Sequence, residues 1–133
     1  MGVAKIMVST DGSPLSDKAI DTAVELAQKL GAELVGMTCV VDKIEGVPEH
    51  EEPSVREHLA VIERKAKEKH VPCEVEVVHS DAVSKAVLRC ARDHDVKFIV
   101  MASRGLGTIG SFLLGSETQK VLHQADRPVL IVR

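Results

Sequence analysis

The amino-acid sequence predicts an α/β fold, a five-stranded parallel sheet doubly wound with helices on both faces. Three observations carry this. Short apolar runs alternate with longer segments whose apolar residues recur at helical spacing, in the order βαβαβαβαβ. The run Phe98-Ile99-Val100-Met101 is apolar at every position, the pattern of a parallel strand buried on both faces. No repeat or low-complexity tract interrupts the alternation, so residues 1–133 read as one domain without a linker.

Each element has its own local reason. Lys5 to Ser9 reads as the first strand, with Ile6 and Val8 apolar, and Thr10-Asp11-Gly12 turns out of it. Ser13 is placed to cap the next helix, with Pro14 at its first position, where a missing N–H costs nothing. That helix carries Ala19, Ile20, Ala23, Val24, Ala27 and Leu30 on one face and stops at Gly31. Glu33 to Val41 is the second strand. Asp42 to Pro53 is acidic and aperiodic, a surface loop or a lid by its length. Ser54-x-x-Glu57 forms a capping box, followed by Val55, Leu59, Ile62 and Ala66 at helical spacing. Cys73 to His79 alternates, with Glu74 and Glu76 on one side, as suits an edge strand with a solvated face. Ser80 or Asp81 is expected to cap a third helix with Val83, Val87 and Cys90 inward. Phe98 to Met101 is the fourth strand and the most uniformly apolar, which places it centrally. Ser116 to Ala125 is the last helix, with Val121, Leu122 and Ala125 inward, and Pro128 separates it from the fifth strand, Val129 to Val132.

Composition narrows the function classes. A net charge of −3 gives no electrostatic case for nucleic acid. With no Trp, no Tyr and only Phe98 and Phe112, base-stacking platforms are missing as well. No apolar run approaches the roughly 20 residues of a membrane span, and the N-terminus enters a strand without a signal-peptide core. Three cysteines, Cys39, Cys73 and Cys90, form no C-x-x-C pair, which suggests buried structural thiols in a reducing cytoplasm. The histidines show neither H-E-x-x-H nor a tight ligand cluster, and His50 among Glu49, Glu51 and Glu52 reads as part of a solvated acidic patch.

The chemistry concentrates between Met101 and Thr118. A buried strand runs into a glycine-rich stretch that ends in Gly115-Ser116-Glu117-Thr118 at a helix start. Glycines let backbone N–H groups approach phosphate oxygens, and the first free N–H groups of the helix point at the same spot. Gly105-x-Gly107-x-x-Gly110 matches the dinucleotide fingerprint, but it follows the fourth strand rather than the first, and too little chain remains for a second mononucleotide half. No P-loop motif occurs.

The spacing Gly105, nine residues, Gly115-Ser116 resembles the second part of the G-x-x-G-x9-G-[ST] signature of the universal stress protein family. The first glycine of that signature falls on Ala102. The similarity extends to Ser9-Thr10-Asp11-Gly12-Ser13 after the first strand, to Ser103-Arg104-Gly105, and to Arg127-Pro128-Val129-Leu130-Ile131-Val132 at the end. The resemblance implies strand order 3-2-1-4-5, with a crevice beyond the carboxyl ends of strands one and four. It implies an adenine nucleotide, ATP, ADP or AMP, held there in a regulatory stress-response role. Thr10 and Asp11 match nucleotide contacts, and Asp11 could also hold Mg²⁺ near the phosphates. Val40 matches the position whose backbone meets adenine. Met101, Ala102, Arg104 and Gly105 match ribose and phosphate contacts; Gly115, Ser116, Glu117 and Thr118 match the phosphate-binding helix start. It further implies a homodimer paired through Val129, Leu130, Ile131 and Val132, an apolar edge strand with unpaired backbone groups.

Departures from the family pattern bear on the ligand. The Ala102 methyl stands where backbone would approach it. Asp81-Ala82-Val83 replaces a common Gly-x-Pro, and an Asp81 carboxylate in the crevice would repel phosphates. Glu117 adds negative charge at the helix start. The alternative reading is a dimeric protein-interaction module of the same family that binds no nucleotide. A phospho-receiver domain would need a lysine after the fifth strand, where the chain has Val132-Arg133. Slow ATP hydrolysis is the most enzymatic activity expected, because no general base or His–nucleophile pair can be argued from spacing.

Overall fold

A computed structural model describes residues 3–41, 53–105 and 114–133. Its elements are β1 (Lys5–Ser9), α1 (Pro14–Leu30), β2 (Glu33–Val41), α2 (Pro53–Glu68), β3 (Cys73–Ser80), α3 (Val83–Asp93), β4 (Phe98–Ala102), α4 (Ser116–Gln124) and β5 (Val129–Val132). The sheet is parallel throughout, in the order β3-β2-β1-β4-β5. The chain winds outward from β1 to β3, then returns to start again at β4 on the other side of β1. Residues 42–52, including His50 and its acidic neighbours, lie outside the described residues, as do Gly107, Gly110 and Phe112.

The adjacent inner strands β1 and β4 carry much of the core, and Met7, Val8, Ile99 and Val100 are fully buried. Their alternating side chains feed two hydrophobic layers. Ile6, Val8 and Val100 pack under α1 and α2, whose Ala19, Ile20, Ala23, Val24, Leu59, Ile62 and Ala66 face them. Met7, Ile99 and Met101 pack on the opposite side, with Ala86, Val87 and Cys90 of α3 and Val121 of α4. Helices therefore cover both faces, which is why strands β1 and β4 lack a polar side.

Local capping chemistry sets α1. The Ser13 hydroxyl accepts the Ser16 N–H at 3.1 Å, Pro14 opens the helix, and Gly31 closes it in the left-handed conformation at φ 63°. Leu30, expected on the buried face, is 62% exposed, because the chain leaves the helix at Gly31 before that face reaches α2 or the sheet.

Other corrections follow from neighbours remote in sequence. The second helix begins at Pro53, so Pro53 belongs to the helix rather than the loop and Ser54 lies in the first turn instead of before it. Proline at a first helical position accounts for the shift. Neither Ser80 nor Asp81 caps α3. The N-cap is Ala82, which offers no side-chain acceptor, and the Ser84 N–H donates instead to Glu117 Oε2 of α4 at 2.6 Å. Leu122 is 40% exposed; α4 is short and buries only Thr118 and Val121. β3 is an edge strand, but the face bearing Glu74 and Glu76 is not simply solvated. The imidazole of His94, at the end of α3, lies 3.2 Å from Glu74 Oε1 and 3.1 Å from Glu76 Oε1. None of the three cysteines is in a disulfide among the described residues, and of the three only Cys90 is buried. Burial, then Glu63 and Glu74, push the Cys73 thiol up to about 11.

Arg127 closes the far end of this layer. Its guanidinium donates to the carbonyls of Ala91 at 2.9 Å and Val96 at 2.8 Å, tying the last turn of α3 and the entry to β4 to the start of β5.

Candidate functional site

The order of the sheet reverses between β1 and β4, and beyond their carboxyl ends lies a cleft of about 270 Å³. That is just below the usual range for small-molecule sites, about 300–1,000 Å³. Thr10, Asp11, Met101, Ala102, Arg104, Gly105, Gly115, Ser116, Glu117 and Thr118 all line it. Val40 does not; it lies one residue beyond Cys39 on β2, paired with His79 of β3. Ser9, Ser16, Met37 and Cys39 line the cleft without having been singled out. Alternation along β2 carries the signal for two of them, since Met37 and Cys39 share the side of the sheet that packs against α3 and α4.

The turn after β1 is organised by its own polar side chains. Thr10 is buried: its N–H donates to the Met37 carbonyl at 3.0 Å, and its hydroxyl accepts the Gly12 N–H at 3.1 Å. Asp11 Oδ1 accepts the Ser13 N–H at 2.9 Å and the Ser16 hydroxyl at 2.8 Å. One oxygen of Asp11 therefore builds the turn, as short Asx motifs do. The other reaches across the cleft mouth to Gly105, where any Cβ would collide with Oδ2. Gly12 is needed for its φ of +83° and because the His58 ring of α2 packs directly against it.

The opposite wall is built where the end of β4 meets the start of α4. The Gly115 N–H donates to the Ser103 carbonyl at 2.8 Å, closing the two ends of the glycine-rich stretch on each other. A Cβ on Gly115 would stand 3.3 Å from Arg104 Cα, so a larger residue would force the neck open. The Ser103 N–H continues the ladder to the Val132 carbonyl at 2.8 Å. Thr118, also buried, donates its hydroxyl to the Ala102 carbonyl at 3.1 Å and fixes the start of α4 to the end of β4.

The first bond of α4 runs from Gln119 N–H to Gly115 O, so the N–H groups of Ser116, Glu117 and Thr118 precede the helical ladder and carry the positive end of its dipole. Side chains supply Arg104 as cation and Asp11 and Glu117 as anions. Burial acts to raise the Glu117 pKa, but the bonds from Ser84 and from Lys120 outweigh it and hold the carboxyl below the usual range. Lys120 Nζ lies 3.0 Å from Oε1 and Ser84 N lies 2.6 Å from Oε2. Glu117 thus spans the N-termini of two helices, and its charge is already partly answered before any ligand arrives.

Two departures resolve structurally. Asp81 does not line the cleft; it is exposed and paired with Lys85 at 2.9 Å. A side-chain bond from Lys85 lowers its pKa. Ala102 borders the cleft but packs in the hydrophobic layer beneath α1. Val83 does line it, adding an apolar wall.

Comparison with known proteins identifies the family and agrees with the fold. The sequence model of the universal stress protein family matches residues 2–133. Universal stress protein YxiE of Bacillus subtilis is 37% identical over 146 residues, spanning 97% of this chain and 98% of that protein. A universal stress protein of Thermus aquaticus, from the region 3′ of a QAH/OAS sulfhydrylase, is 36% identical, spanning 96% and 97%. Among solved structures, a universal stress protein in complex with cAMP superposes with a TM-score of 0.79 at 26% identity, covering 100% of this chain and 98% of that one.

Proposed function

The chain belongs to the universal stress protein family, and on that premise we propose that it binds an adenine nucleotide in the cleft between β1 and β4. The observation that carries the reading is convergence. Asp11 from β1, Arg104 and Gly105 after β4, and the unladdered N–H groups of α4 meet around one cavity although they are spread over more than a hundred residues. Such N–H groups at a helix start favour a phosphate. Gly105 and Gly115 leave backbone where side chains would block the neck. Met37, Val83 and Met101 offer apolar surface suited to a purine. The related structure holding cAMP supports the same ligand class.

The residues fit a nucleotide better than they fit a dedicated metal. Asp11 stands at the cleft with Oδ1 engaged in its turn, and its carboxylate is placed to meet a ribose hydroxyl or a Mg²⁺ carried in with the phosphates. The role is binding and regulation, with ATP hydrolysis at most slow. The same reading takes residues 1–133 as one domain in a reducing cytoplasm, consistent with three cysteines outside any disulfide. Among the described residues no helix is long and apolar enough to cross a membrane. We also assign a homodimer to the outer edge of β5, which among the described residues pairs with β4 alone and exposes Leu130.

The test is nucleotide retention. Protein mixed with ATP and Mg²⁺ and then desalted is expected to carry adenine, and the absence of Trp and Tyr makes its absorbance easy to see. Calorimetry with AMP, ADP, ATP and cAMP then ranks the ligands. No binding of any of them, in protein shown to be folded, overturns the reading in favour of a protein-interaction module.

A further inference from the structure

We propose that Glu76, Cys90 and His94 form a Zn²⁺ site at the end of the sheet opposite the cleft. The fold brings them together from two elements. Cys90 and His94 are one helical turn apart, at the last turn of α3 and its C-cap. Glu76 lies early in β3, on the face that α3 covers. One ligand atom from each of the three lies within 4.8 Å of the others. No sequence motif announces the set, because a single Cys-x-x-x-His is common on helices and the carboxylate comes from another element. The expectation that the histidines make no tight ligand cluster is corrected here.

The donor chemistry selects the ion. Thiolate, imidazole and carboxylate together suit Zn²⁺ far better than Mg²⁺ or Ca²⁺, which take oxygen ligands. Bond lengths of about 2.3 Å to sulfur and about 2.0–2.2 Å to nitrogen and oxygen put tetrahedral donors roughly 3.3–3.6 Å apart. His94 Nε2 and Glu76 Oε1, at 3.1 Å, already stand near that spacing. The Cys90 sulfur lies within 4.8 Å of both, so at most a small side-chain adjustment completes three corners. The other ring nitrogen, Nδ1, is 3.2 Å from Glu74 Oε1. A carboxylate behind a ligating histidine fixes its tautomer and raises its basicity. His94 and Glu76 keep partial exposure while Cys90 is buried, so the fourth position opens to water and the sulfur is sheltered.

Binding exchanges a proton for the metal. The Cys90 thiol gives its proton to solvent as the Zn–S bond forms, and His94 binds as the neutral ring with Nδ1–H donating to Glu74. The ion would then join the last turn of α3 to the edge strand, where only side-chain contacts hold them.

Co²⁺ is the probe. Reduced, metal-free full-length protein titrated with Co²⁺ is expected to show one saturable thiolate-to-metal charge-transfer band, which Zn²⁺ removes. Zn²⁺ should also raise Tm. Cys90→Ser abolishes the band, and Cys39→Ser with Cys73→Ser leaves it. Because Cys90 is buried, Glu76→Gln and His94→Gln supply the same test at more exposed positions, each lowering affinity. Glu74→Gln is expected to lower it about 10–100-fold. No band, a band that survives Cys90→Ser, or a Tm indifferent to Zn²⁺ overturns the site and leaves an ordinary His–carboxylate network.

Discussion

Replacing Glu117 by Gln should move stability and affinity in opposite directions. The carboxylate accepts the Ser84 N–H at 2.6 Å and meets Lys120 at 3.0 Å, with its side chain 32% exposed. A hydrogen bond to a charged group contributes about 1.5–3 kcal/mol, against about 0.5–1.5 for a neutral one. The amide keeps the shape and the neutral bond, so the loss is about 1–2 kcal/mol once the charge at two helix N-termini is included. For a chain of this length that lowers Tm by about 3–8 °C. The pH profile follows from the lowered pKa. The carboxyl is held below its ordinary 4.5, so the stability it contributes is present above that value and is lost as pH falls through the folded-state pKa. The Tm gap between the two proteins should be constant at neutral pH and close in acid. Binding responds to the same charge with the other sign. A phosphate charge held about 8 Å from a carboxylate, at an effective dielectric of about 40, is repelled by about 1 kcal/mol. Glu117→Gln should therefore tighten nucleotide binding several-fold, and ATP more than AMP. Melting curves across pH and calorimetry with both nucleotides check it. A variant of unchanged Tm refutes the capping role, and weaker binding refutes the repulsion.

Asp11→Ala should lose both the turn bonds and affinity, whereas Asp11→Asn keeps the Oδ1 acceptor, so an affinity loss at near-normal Tm isolates the contribution of the charge. Thr118→Val removes the bond to the Ala102 carbonyl at a buried position and should cost about 1–2 kcal/mol in urea unfolding; a smaller effect means that helix α4 is held by packing alone. Leu130→Lys places a charge on the exposed edge strand β5 and should convert the proposed dimer to monomer in sedimentation, with the stability of the monomer changed by only about 0.5 kcal/mol. A dimer of unchanged affinity would remove β5 as the interface.

Legibility tracked sequence distance. Ser13, Pro14 and Gly31 act on backbone a few residues away, so the bounds of α1 are readable from the chain itself. The cap of α3 is supplied by Glu117 from 33 residues further on, and no local pattern could show it. Leu30 and Leu122 fit helical periodicity yet stay exposed, because periodicity marks a face and only packing marks how far along the helix that face is covered. In the cleft, the residues around Asp11 and Gly115 were legible from turn and helix-start chemistry. For Met37 and Cys39 the alternation along β2 marks a shared side but not which side, because the side that meets the cleft depends on where α3 and α4 pack.

The bond between Gly115 and Ser103 has a consequence for how such a site can diversify. Ser103 and Gly115 are fastened directly to each other, so the end of β4 and the start of α4 hold their places by contacts of their own. Lengthening the chain between two joined points is thermodynamically mild, about 0.6 kcal/mol for each doubling. Insertions between Ser103 and Gly115 are therefore expected to leave the folding stability of the domain nearly unchanged, so sequence in that interval can vary as a trait almost independent of the fold.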